Sequence, residues 1–226
     1  VYTGNFVFDP TRRGAFKTDI GKLAYVGKQG VLCLLSESLY AEKKGYTSPN
    51  HRVANTIKEA LIRNEGRIIF STYSYNVCRL QELFDEVSKT HRKIIIMGKT
   101  LQVTIKYLLD NNYLFINREQ IGDLSNLNDK DAVILSSSDN ERPFANLDRI
   151  LNGYDKYIKI KSTDTVFFLD SITDSVEKAA VRIFDSISRC GAEVVTLSKN
   201  NISYHASSED LMLMLDLINP KYYFPI

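Results

Sequence analysis

The chain has 226 residues, of which 44% are hydrophobic, and a formal net charge of +2 at pH 7. This length and composition predict a soluble globular protein with one large core or two modest ones, while the small charge provides no long-range field that steers nucleic acid. No apolar run reaches the roughly 18 residues of a membrane span, no signal peptide is visible, and the three cysteines form no CxxC pair, so we expect a cytoplasmic protein without a membrane partner.

Short, β-branched apolar runs recur along the chain and predict buried strands. They span Val31–Leu35, Arg67–Phe70, Lys93–Met97, Ala132–Leu135, Thr165–Leu169 and Glu193–Leu197. These runs lack alternation with polar residues, which is typical of strands that are covered on both faces. One further strand is predicted near each end of the chain, over Tyr2–Phe8 and Lys221–Ile226.

Segments with helical periodicity lie between these runs. They span His51–Asn64, Asn76–Lys89, Thr100–Asn111 and Val176–Arg189, and a small helix is expected within Phe16–Val26. Strands that alternate with helices form right-handed βαβ units around a mostly parallel sheet. The sequence therefore predicts an α/β fold with a doubly wound, mostly parallel sheet.

His205 lies in a loop of small residues directly before an apolar segment that predicts another helix. Ser207 is suited to cap that helix, and Asp210 stands three residues later, where a capping box has its acid. The positive end of the helix dipole and its unpaired N–H groups would then lie beside the imidazole. Such an arrangement suits a phosphate ligand.

Two polar segments permit both a functional and a structural interpretation. The turn Ser71–Asn76 either binds phosphate and stacks bases on its tyrosines, or caps an ordinary helix with Ser74 or Asn76. A short basic strip either contacts RNA or forms a solvated surface. The members of the basic strip are Tyr154, Lys156, Tyr157, Lys159 and Lys161.

Ordered motifs along the whole chain resemble those of the ribonuclease J family, which belongs to the β-CASP branch of the metallo-β-lactamase nucleases. Tyr2–Phe6 is similar to the family's Y-T-G-D-F strand, and Gly30–Ser38 resembles the segment that contains the first β-CASP acid. Asn76–Gln81 is similar to the S-N-V-H-R-x-Q helix start, and Asn201–His205 resembles the H-V-S-G-H loop. The chain is therefore identified as a member of that family, as a fragment or a degenerate paralogue.

The resemblance implies a β-CASP domain over residues 43–198, inserted into a partial metallo-β-lactamase domain that consists of residues 1–42 and 199–226. It also implies hydrolysis of RNA phosphodiesters in messenger decay and ribosomal RNA maturation. Zinc is the cofactor of the family, and its partners are single-stranded RNA and further ribonuclease J-type subunits.

By position, Glu37 matches the β-CASP acid and His205 matches the loop histidine, the two residues that handle the leaving-group proton in the family. A carboxylate beside an imidazole favours the protonated ring that a general acid needs. We therefore predict that Glu37 and His205 are the catalytic residues and meet within hydrogen-bond distance. The resemblance also implies RNA contacts from Ser74, Asn76, Arg79, Ser137, Ser138, Ser203 and Ser207.

The chain departs from the family pattern where metal and RNA would be bound. Asn5 stands at the position of the carboxylate that bridges two zinc ions, and a neutral amide is a poor ligand there. We expect Asn5 to be structural, with hydrogen bonds in place of a metal contact. The H-x-H-x-D-H zinc loop would precede Val1, so we expect this chain alone to bind no zinc. The segment Ser137–Pro143 lacks the glycines of the family's T-G-S-Q-G-E-P loop, so its N–H groups approach a phosphate less closely.

These observations lead to one main hypothesis and two alternatives. The main hypothesis is that the chain is part of a ribonuclease J-type, metal-dependent ribonuclease and lacks the dinuclear metal site by itself. The first alternative is a non-catalytic paralogue that serves as a scaffold or partner subunit, which Asn5 and the changed Ser137–Pro143 loop favour. The second alternative, an unrelated doubly wound nucleotide-binding domain, is disfavoured because no Gly-rich phosphate loop follows any predicted strand.

Overall fold

The structure, a computed structural model, describes residues 1–9, 17–138, 144–172, 174–197 and 204–226. By its internal contacts the chain divides into two compact units. Unit 1 comprises Val1–Arg52 and Asn200–Ile226, and unit 2 comprises Val53–Lys199. In the described part of the chain, no helix combines the length and the apolar character needed to cross a bilayer.

Strands alternate with helices along the chain, which confirms the predicted α/β class. The strands are β1 (Tyr2–Gly4), β2 (Cys33–Ser36), β3 (Ile68–Tyr73), β4 (Ile94–Met97), β5 (Ile121–Gly122), β6 (Val133–Ser138), β7 (Thr165–Phe168), β8 (Glu193–Val195) and β9 (Tyr222–Pro225). The helices are α1 (Ile20–Lys28), α2 (Ala54–Arg63), α3 (Val77–Val87), α4 (Lys99–Asp110), α5 (Ala145–Leu151), α6 (Glu177–Arg189) and α7 (Ser208–Ile218). Every pairing between these strands is parallel.

Unit 1 contains a three-stranded sheet in the order β1-β2-β9, together with the packed helices α1 and α7. Leu34 of β2 is fully buried and forms one apolar cluster with Met214 and Ile218 of α7. Helices α1 and α7 approach closely at Gly27, where an added Cβ would lie 2.1 Å from the carbonyl oxygen of Leu217. Because that neighbour is backbone and cannot rotate away, only glycine fits at this helix contact.

Unit 2 contains a six-stranded sheet in the order β5-β4-β6-β3-β7-β8. Ile69 of β3 pairs in register with Ile134 of β6 and Val166 of β7, and residues of α5 and α6 join these three in one core cluster. Ile68 and Phe70 point to the opposite face, because side chains alternate along a strand, and both are fully buried. The central strand is therefore covered on both faces, as its unbroken apolar sequence predicts.

The structure differs from the sequence prediction in a few elements. β1 ends at Gly4 instead of continuing to Phe8, because Gly4 takes a φ of +60°, which is incompatible with an extended strand. β5 and α5 lie outside the predicted elements. A two-residue strand is too short to show periodicity, and α5 begins after Phe144, whose φ of 66° departs from the usual N-cap conformation.

The change from unit 1 to unit 2 falls between Arg52 and Val53, later along the chain than the junction at residues 42 and 43 that the resemblance implies. The intervening segment bonds to other parts of unit 1. The carbonyl of Lys43 accepts the N–H of Ser208 at 2.9 Å, and the guanidinium of Arg52 donates to both carboxylate oxygens of Asp9. The family-type domain boundaries themselves stay a prediction.

The segment that precedes β7 is held in place by a buried carboxylate, Asp155. This carboxylate accepts the N–H groups of Tyr157 at 2.9 Å and Ile158 at 3.2 Å. It is also ion-paired with Arg149. Burial raises the pKa of Asp155, but the hydrogen bonds from these three residues outweigh burial, and the pKa lies below its usual value.

Replacing Asp155 with asparagine should therefore remove a pH-dependent part of the free energy of unfolding. A lowered folded-state pKa gives stability that is fully present above the unfolded-state pKa of about 3.9 and is lost as the pH falls through the folded-state value. The stability of the wild type should thus decrease more steeply below about pH 4 than that of Asp155→Asn. Urea unfolding at neutral and acidic pH measures this difference.

The exposed Asp216 of α7 supplies a charge-matched control. Asp216→Asn should keep the pH dependence of the wild type. A stability difference between wild type and Asp155→Asn that stays constant from neutral to acidic pH would contradict the role assigned to the Asp155 carboxylate.

Candidate active site

A buried carboxylate and a partly exposed histidine meet in unit 1. Glu37 directly follows β2 and its side chain is 2% exposed, whereas that of His205 is 30% exposed. Oε2 of Glu37 lies 2.6 Å from Nδ1 of His205, and Oε1 accepts the N–H groups of Phe6 at 2.7 Å and Ala206 at 3.0 Å. The predicted contact between Glu37 and His205 is confirmed, and their catalytic roles stay predictions.

Hydrogen bonds to Thr47 fix the backbone at His205. The Thr47 hydroxyl donates to the carbonyl oxygen of His205 at 2.7 Å and accepts the N–H of Ser207 at 3.1 Å. The two hydroxyls of Thr47 and Ser207 are 2.8 Å apart. Because Thr47 donates its only hydroxyl proton to the carbonyl oxygen of His205, the hydroxyl of Ser207 is the donor in the hydrogen bond between the two hydroxyls. His205 is thus held at a ring nitrogen and at its own carbonyl.

Helix α7 begins with the capping box that the sequence predicts. Ser207 is the N-cap, and Oδ2 of the fully buried Asp210 accepts the N–H of Ser207 at 3.1 Å and that of Thr47 at 2.8 Å. The box satisfies donors at the start of the helix that a phosphate would otherwise bind. The helix start therefore positions the histidine loop, and it offers fewer N–H groups to an anion than the sequence suggests.

Two tyrosines complete the surroundings of the pair. The hydroxyl of Tyr223 donates to the backbone carbonyl of Glu37 at 2.8 Å. Burial, and secondly the charge of Glu37, raises the pKa of Tyr223, so the hydroxyl keeps its proton and remains a donor. The ring of Tyr40 lies edge-on to that of His205, with the ring centroids 5.6 Å apart.

The arrangement is suited to proton transfer. A carboxylate that binds one ring nitrogen of a histidine orients the ring and stabilises its protonated form, while the second nitrogen exchanges a proton with a substrate. Glu37 binds Nδ1 of His205, so the exchange would occur at Nε2. The two N–H groups on Oε1 keep the carboxylate itself in place.

Asn5 lies at the surface of unit 1. Its side chain is exposed and forms no hydrogen bond to any described residue. Asn5 follows Gly4, whose positive φ ends β1 and leaves the next residue at the surface. Other residues of the chain lie outside the described ranges, so the expected structural role of Asn5 stays a prediction.

The described residues do not fit a zinc centre. Over the described ranges of the chain, no three His, Cys, Asp or Glu side chains are grouped so that they could hold a metal ion. The amide of Asn5 adds no charge to compensate for a missing carboxylate. Zinc chemistry therefore has no ligand set among these residues.

The two other histidines lie in different surroundings. His51 is buried, and its Nε2 lies 3.3 Å from the carboxylate of Asp9. Its ring is edge-on to that of Tyr204. His91 of unit 2 is exposed and lies 3.0 Å from Asp131.

Arg79 is not available to RNA. Its side chain is fully buried, and its guanidinium donates to the carboxylate of Glu82 at 3.2 Å. A guanidinium that is enclosed by protein cannot reach a phosphate at the surface. The predicted RNA contact from Arg79 is therefore wrong, because α3 turns this position toward the core of unit 2.

Asn76 is the N-cap of α3, which supports the structural interpretation of the turn. Its side chain accepts the N–H of Arg79 at 3.3 Å and donates to the carboxylate of Asp170 at 2.7 Å. That carboxylate also accepts the N–H of Tyr73 at 2.9 Å. Its negative charge at the start of α3 opposes the binding of a phosphate there. Ser74 is half-buried in the same turn, and its RNA contact stays a prediction.

The remaining predicted RNA contacts have mixed outcomes. Ser207 is buried within the capping box, so its predicted contact with RNA is wrong. The half-buried Ser137 accepts a hydrogen bond from the amide of Asn146 at 3.2 Å, and its role stays a prediction. Ser203, the side chain of Ser138 and the 139–143 part of the loop lie outside the described residues.

The sequence did not indicate Thr47 or Tyr223 as parts of the site. Thr47 lies in an irregular segment whose pairing with α7 has no local signal. Tyr223 could have been recognised from strand alternation, because it must face the opposite side of β9 from Tyr222 and Phe224. Those two flanking aromatics are exposed, and Tyr223 is half-buried against Glu37.

Unit 2 matches a known protein family. The family model described as "Ribonuclease J, beta-CASP domain" matches residues 65–187, which is more than half of the chain. The chain belongs to the ribonuclease J family. The matched residues all lie within unit 2 and include strands β3 to β7 of the six-stranded parallel sheet of this ribonuclease J-type chain.

Relatives within the ribonuclease J family match the full length of the chain. Ribonuclease J2 of Bacillus subtilis (strain 168) is 32% identical over 233 residues, which cover 100% of this chain and 41% of the relative. Ribonuclease J 2 of Streptococcus pyogenes serotype M3 is 29% identical over 231 residues, which cover 100% of this chain and 42% of the relative. Ribonuclease J 2 of Staphylococcus aureus (strain NCTC 8325) is 28% identical over 233 residues, which cover 100% of this chain and 41% of the relative. The chain spans about two fifths of the length of these relatives.

Proposed function

We propose that this chain is part of a cytoplasmic ribonuclease J-type ribonuclease, which hydrolyses phosphodiesters of single-stranded RNA in messenger decay and ribosomal RNA maturation. The 2.6 Å contact between Glu37 and His205 carries the proposal. These residues stand where the family resemblance has its acid and its loop histidine, and they lie 168 positions apart in the sequence. A buried carboxylate with three donors, one of them an imidazole, is suited to a catalytic role.

In this proposal, water forms a bond to the phosphorus and loses a proton to solvent, and His205 donates a proton to the leaving oxygen as the bond between that oxygen and phosphorus breaks. Glu37 occupies Nδ1, so the proton passes through Nε2, and the carboxylate stabilises the imidazolium and fixes the orientation of the ring. The hydrogen bond from Thr47 to the carbonyl of His205 holds the loop while the proton moves.

Zinc is the cofactor that the family resemblance implies, and the described residues of this chain do not fit it. We therefore assign zinc binding to parts of the full-length protein beyond this chain. The chain by itself is expected to bind no zinc and to hydrolyse no RNA.

A non-catalytic ribonuclease J-like subunit is the second candidate function, and Asn5 favours it. Asn5 stands where the family has a carboxylate that bridges two cations, and its neutral amide cannot replace that charge. Such a subunit would serve as a scaffold or as a partner for other ribonuclease J-type subunits.

Replacing Asn5 with aspartate in the full-length protein separates the two candidates. If the enzyme is intact apart from this ligand, Asn5→Asp should raise the zinc content and increase the rate of hydrolysis. Loss of a residue that merely supports a metal ligand lowers metal affinity or activity by about 10- to 100-fold. Restoring a ligand itself should therefore raise the rate of hydrolysis by at least about tenfold. Elemental analysis and hydrolysis of 5′-monophosphorylated RNA measure the two effects.

Asn55→Asp is the matched control, because Asn55 is exposed on α2 and the substitution makes the same charge change. It should alter neither the zinc content nor the rate. If the wild type hydrolyses RNA and Asn5→Asp hydrolyses it faster, the ribonuclease proposal is supported. Absence of hydrolysis in both proteins would support the non-catalytic subunit.

A further inference from the structure

The basic strip has uncompensated positive charge at the surface of unit 2. Lys156, Lys159 and Lys161 are exposed, and within the described residues no acidic side chain forms an ion pair with them. The acids of the same segment, Asp155 and Asp164, are buried, and each is ion-paired with an arginine. Both acids are therefore already neutralised by arginines, and the three lysines remain exposed.

The backbone of the basic strip is fixed by contacts to the core. Arg67 donates to the carbonyl oxygen of Lys159 at 2.9 Å, and the carboxylate of Asp164 accepts the N–H of Lys161 at 2.8 Å. Ile158, between the exposed residues, is buried in the core of unit 2. A backbone that is already ordered loses little further entropy when a ligand binds.

Two exposed tyrosines alternate with these lysines. Tyr154 is 79% exposed and Tyr157 is 47% exposed. The Nζ atom of Lys156 lies 4.8 Å from the centre of the Tyr157 ring, so cation and ring share one surface. Single-stranded nucleic acids bind such surfaces by stacking bases on the rings and pairing phosphates with the lysines. An acidic polypeptide would use the lysines and leave the ring faces unused.

The position of the basic strip separates it from the other candidate contacts in unit 2. It precedes β7, so it lies at the amino ends of the parallel strands. The turn Ser71–Asn76 covers the last residues of β3 and lies at the carboxyl ends, where ligands bind in doubly wound sheets. The basic strip would therefore be a separate surface rather than an extension of that turn.

We infer that the basic strip is a second RNA contact, which binds the backbone of single-stranded RNA through its three lysines and stacks bases on Tyr154 and Tyr157. The inference rests on the proposed function in that RNA is the substrate. It does not depend on the activity of Glu37 and His205. An RNA long enough to reach the basic strip would be bound more tightly than a short one.

The salt dependence of RNA binding tests this inference. A fluorescent oligouridylate is titrated with the wild-type chain and with Lys159→Gln/Lys161→Gln at several salt concentrations. Each phosphate contact on a single strand contributes about 0.7 to the magnitude of the slope of log K against log salt. The slope of the double variant should therefore be smaller in magnitude by about 1.4. Tyr157→Ala should weaken binding by about five- to tenfold at constant salt, because one base loses its stacking partner.

Lys58→Gln/Lys178→Gln is the control with the same loss of charge, since both lysines are exposed on helices outside the basic strip. It should keep the wild-type slope. An unchanged slope in Lys159→Gln/Lys161→Gln would overturn the inference. The inference would also be overturned if polyglutamate competed for the chain as strongly as unlabelled RNA and Tyr157→Ala did not weaken RNA binding. That result would indicate that the basic strip binds an acidic polypeptide.

Turnover in the full-length protein distinguishes failure of this inference from failure of the proposed function. If variants of the basic strip bind RNA like the wild type while His205→Ala loses turnover, the second contact is refuted and the ribonuclease proposal stands. If His205→Ala keeps full turnover while the strip variants lose binding, the proposed catalytic pair is refuted and the second contact stands.

Discussion

Replacing His205 with alanine in the full-length protein should lower the turnover number for RNA hydrolysis by about 10²- to 10⁴-fold, the usual contribution of a positioned general acid. The leaving oxygen of an RNA phosphodiester is a poor leaving group unless it receives a proton. The proposed donor is the imidazole that Glu37 holds at 2.6 Å. KM should change less than turnover, because the proton is transferred only in the transition state.

A substrate that needs no proton distinguishes catalysis from a structural effect. A nitrophenyl phosphodiester releases a stable anion, so His205→Ala should reduce its hydrolysis much less than that of RNA. Glu37→Gln should give a smaller loss with RNA, because the amide still accepts an N–H group but no longer stabilises the imidazolium.

His91→Ala is the control, since His91 is an exposed histidine of unit 2. It should leave the turnover of both substrates unchanged. Equal losses with RNA and the nitrophenyl substrate in His205→Ala would show that the histidine supports the structure of the site and donates no proton.

Replacing Arg67 with methionine should lower the free energy of unfolding by about 3 to 5 kcal/mol, because the change leaves a carboxylate buried without its partner. Arg67 and Asp164 are both buried, and their side chains form two hydrogen bonds of 2.9 and 2.5 Å. The guanidinium also donates to the carbonyls of Leu127 at 2.8 Å and Lys159 at 2.9 Å. Four hydrogen bonds from one side chain thus join three segments of unit 2.

Urea unfolding of two further variants completes this test. Arg63→Met removes an exposed arginine that lies 3.8 Å from Glu193, and it should cost less than about 1 kcal/mol. Arg67→Met/Asp164→Leu should recover part of the lost stability, because it removes both charges together. A cost for Arg67→Met as small as that for Arg63→Met would contradict the assigned role of the buried pair.

The predicted strands of unit 2 correspond to observed ones for a simple physical reason. A strand that is covered on both faces must be apolar along its whole length, and Ile68–Phe70 shows this pattern directly. The pattern fails for β5, whose two residues are too few, and for α5, whose start at Phe144 has no ordinary cap. Local sequence therefore predicted the buried apolar strands and missed β5 and α5.

The candidate site was predictable in part. Ordered motifs identified Glu37 and His205 as a pair, but the residues that hold them are backbone donors at Phe6 and Ala206 and the hydroxyl of Thr47. Every residue has a backbone N–H, so its use at one position has no signature in the sequence. These contacts emerge only when distant segments are brought together.

The sequence by itself determined the α/β class, the order of the main elements and the capping box of α7, because each depends on residues only a few positions apart. The tertiary structure alone decided which polar side chains reach solvent. Arg79 and Ser207 are buried, while the lysines of the basic strip are exposed. Burial is set by whatever segment packs over a residue, and that segment lies far away along the chain.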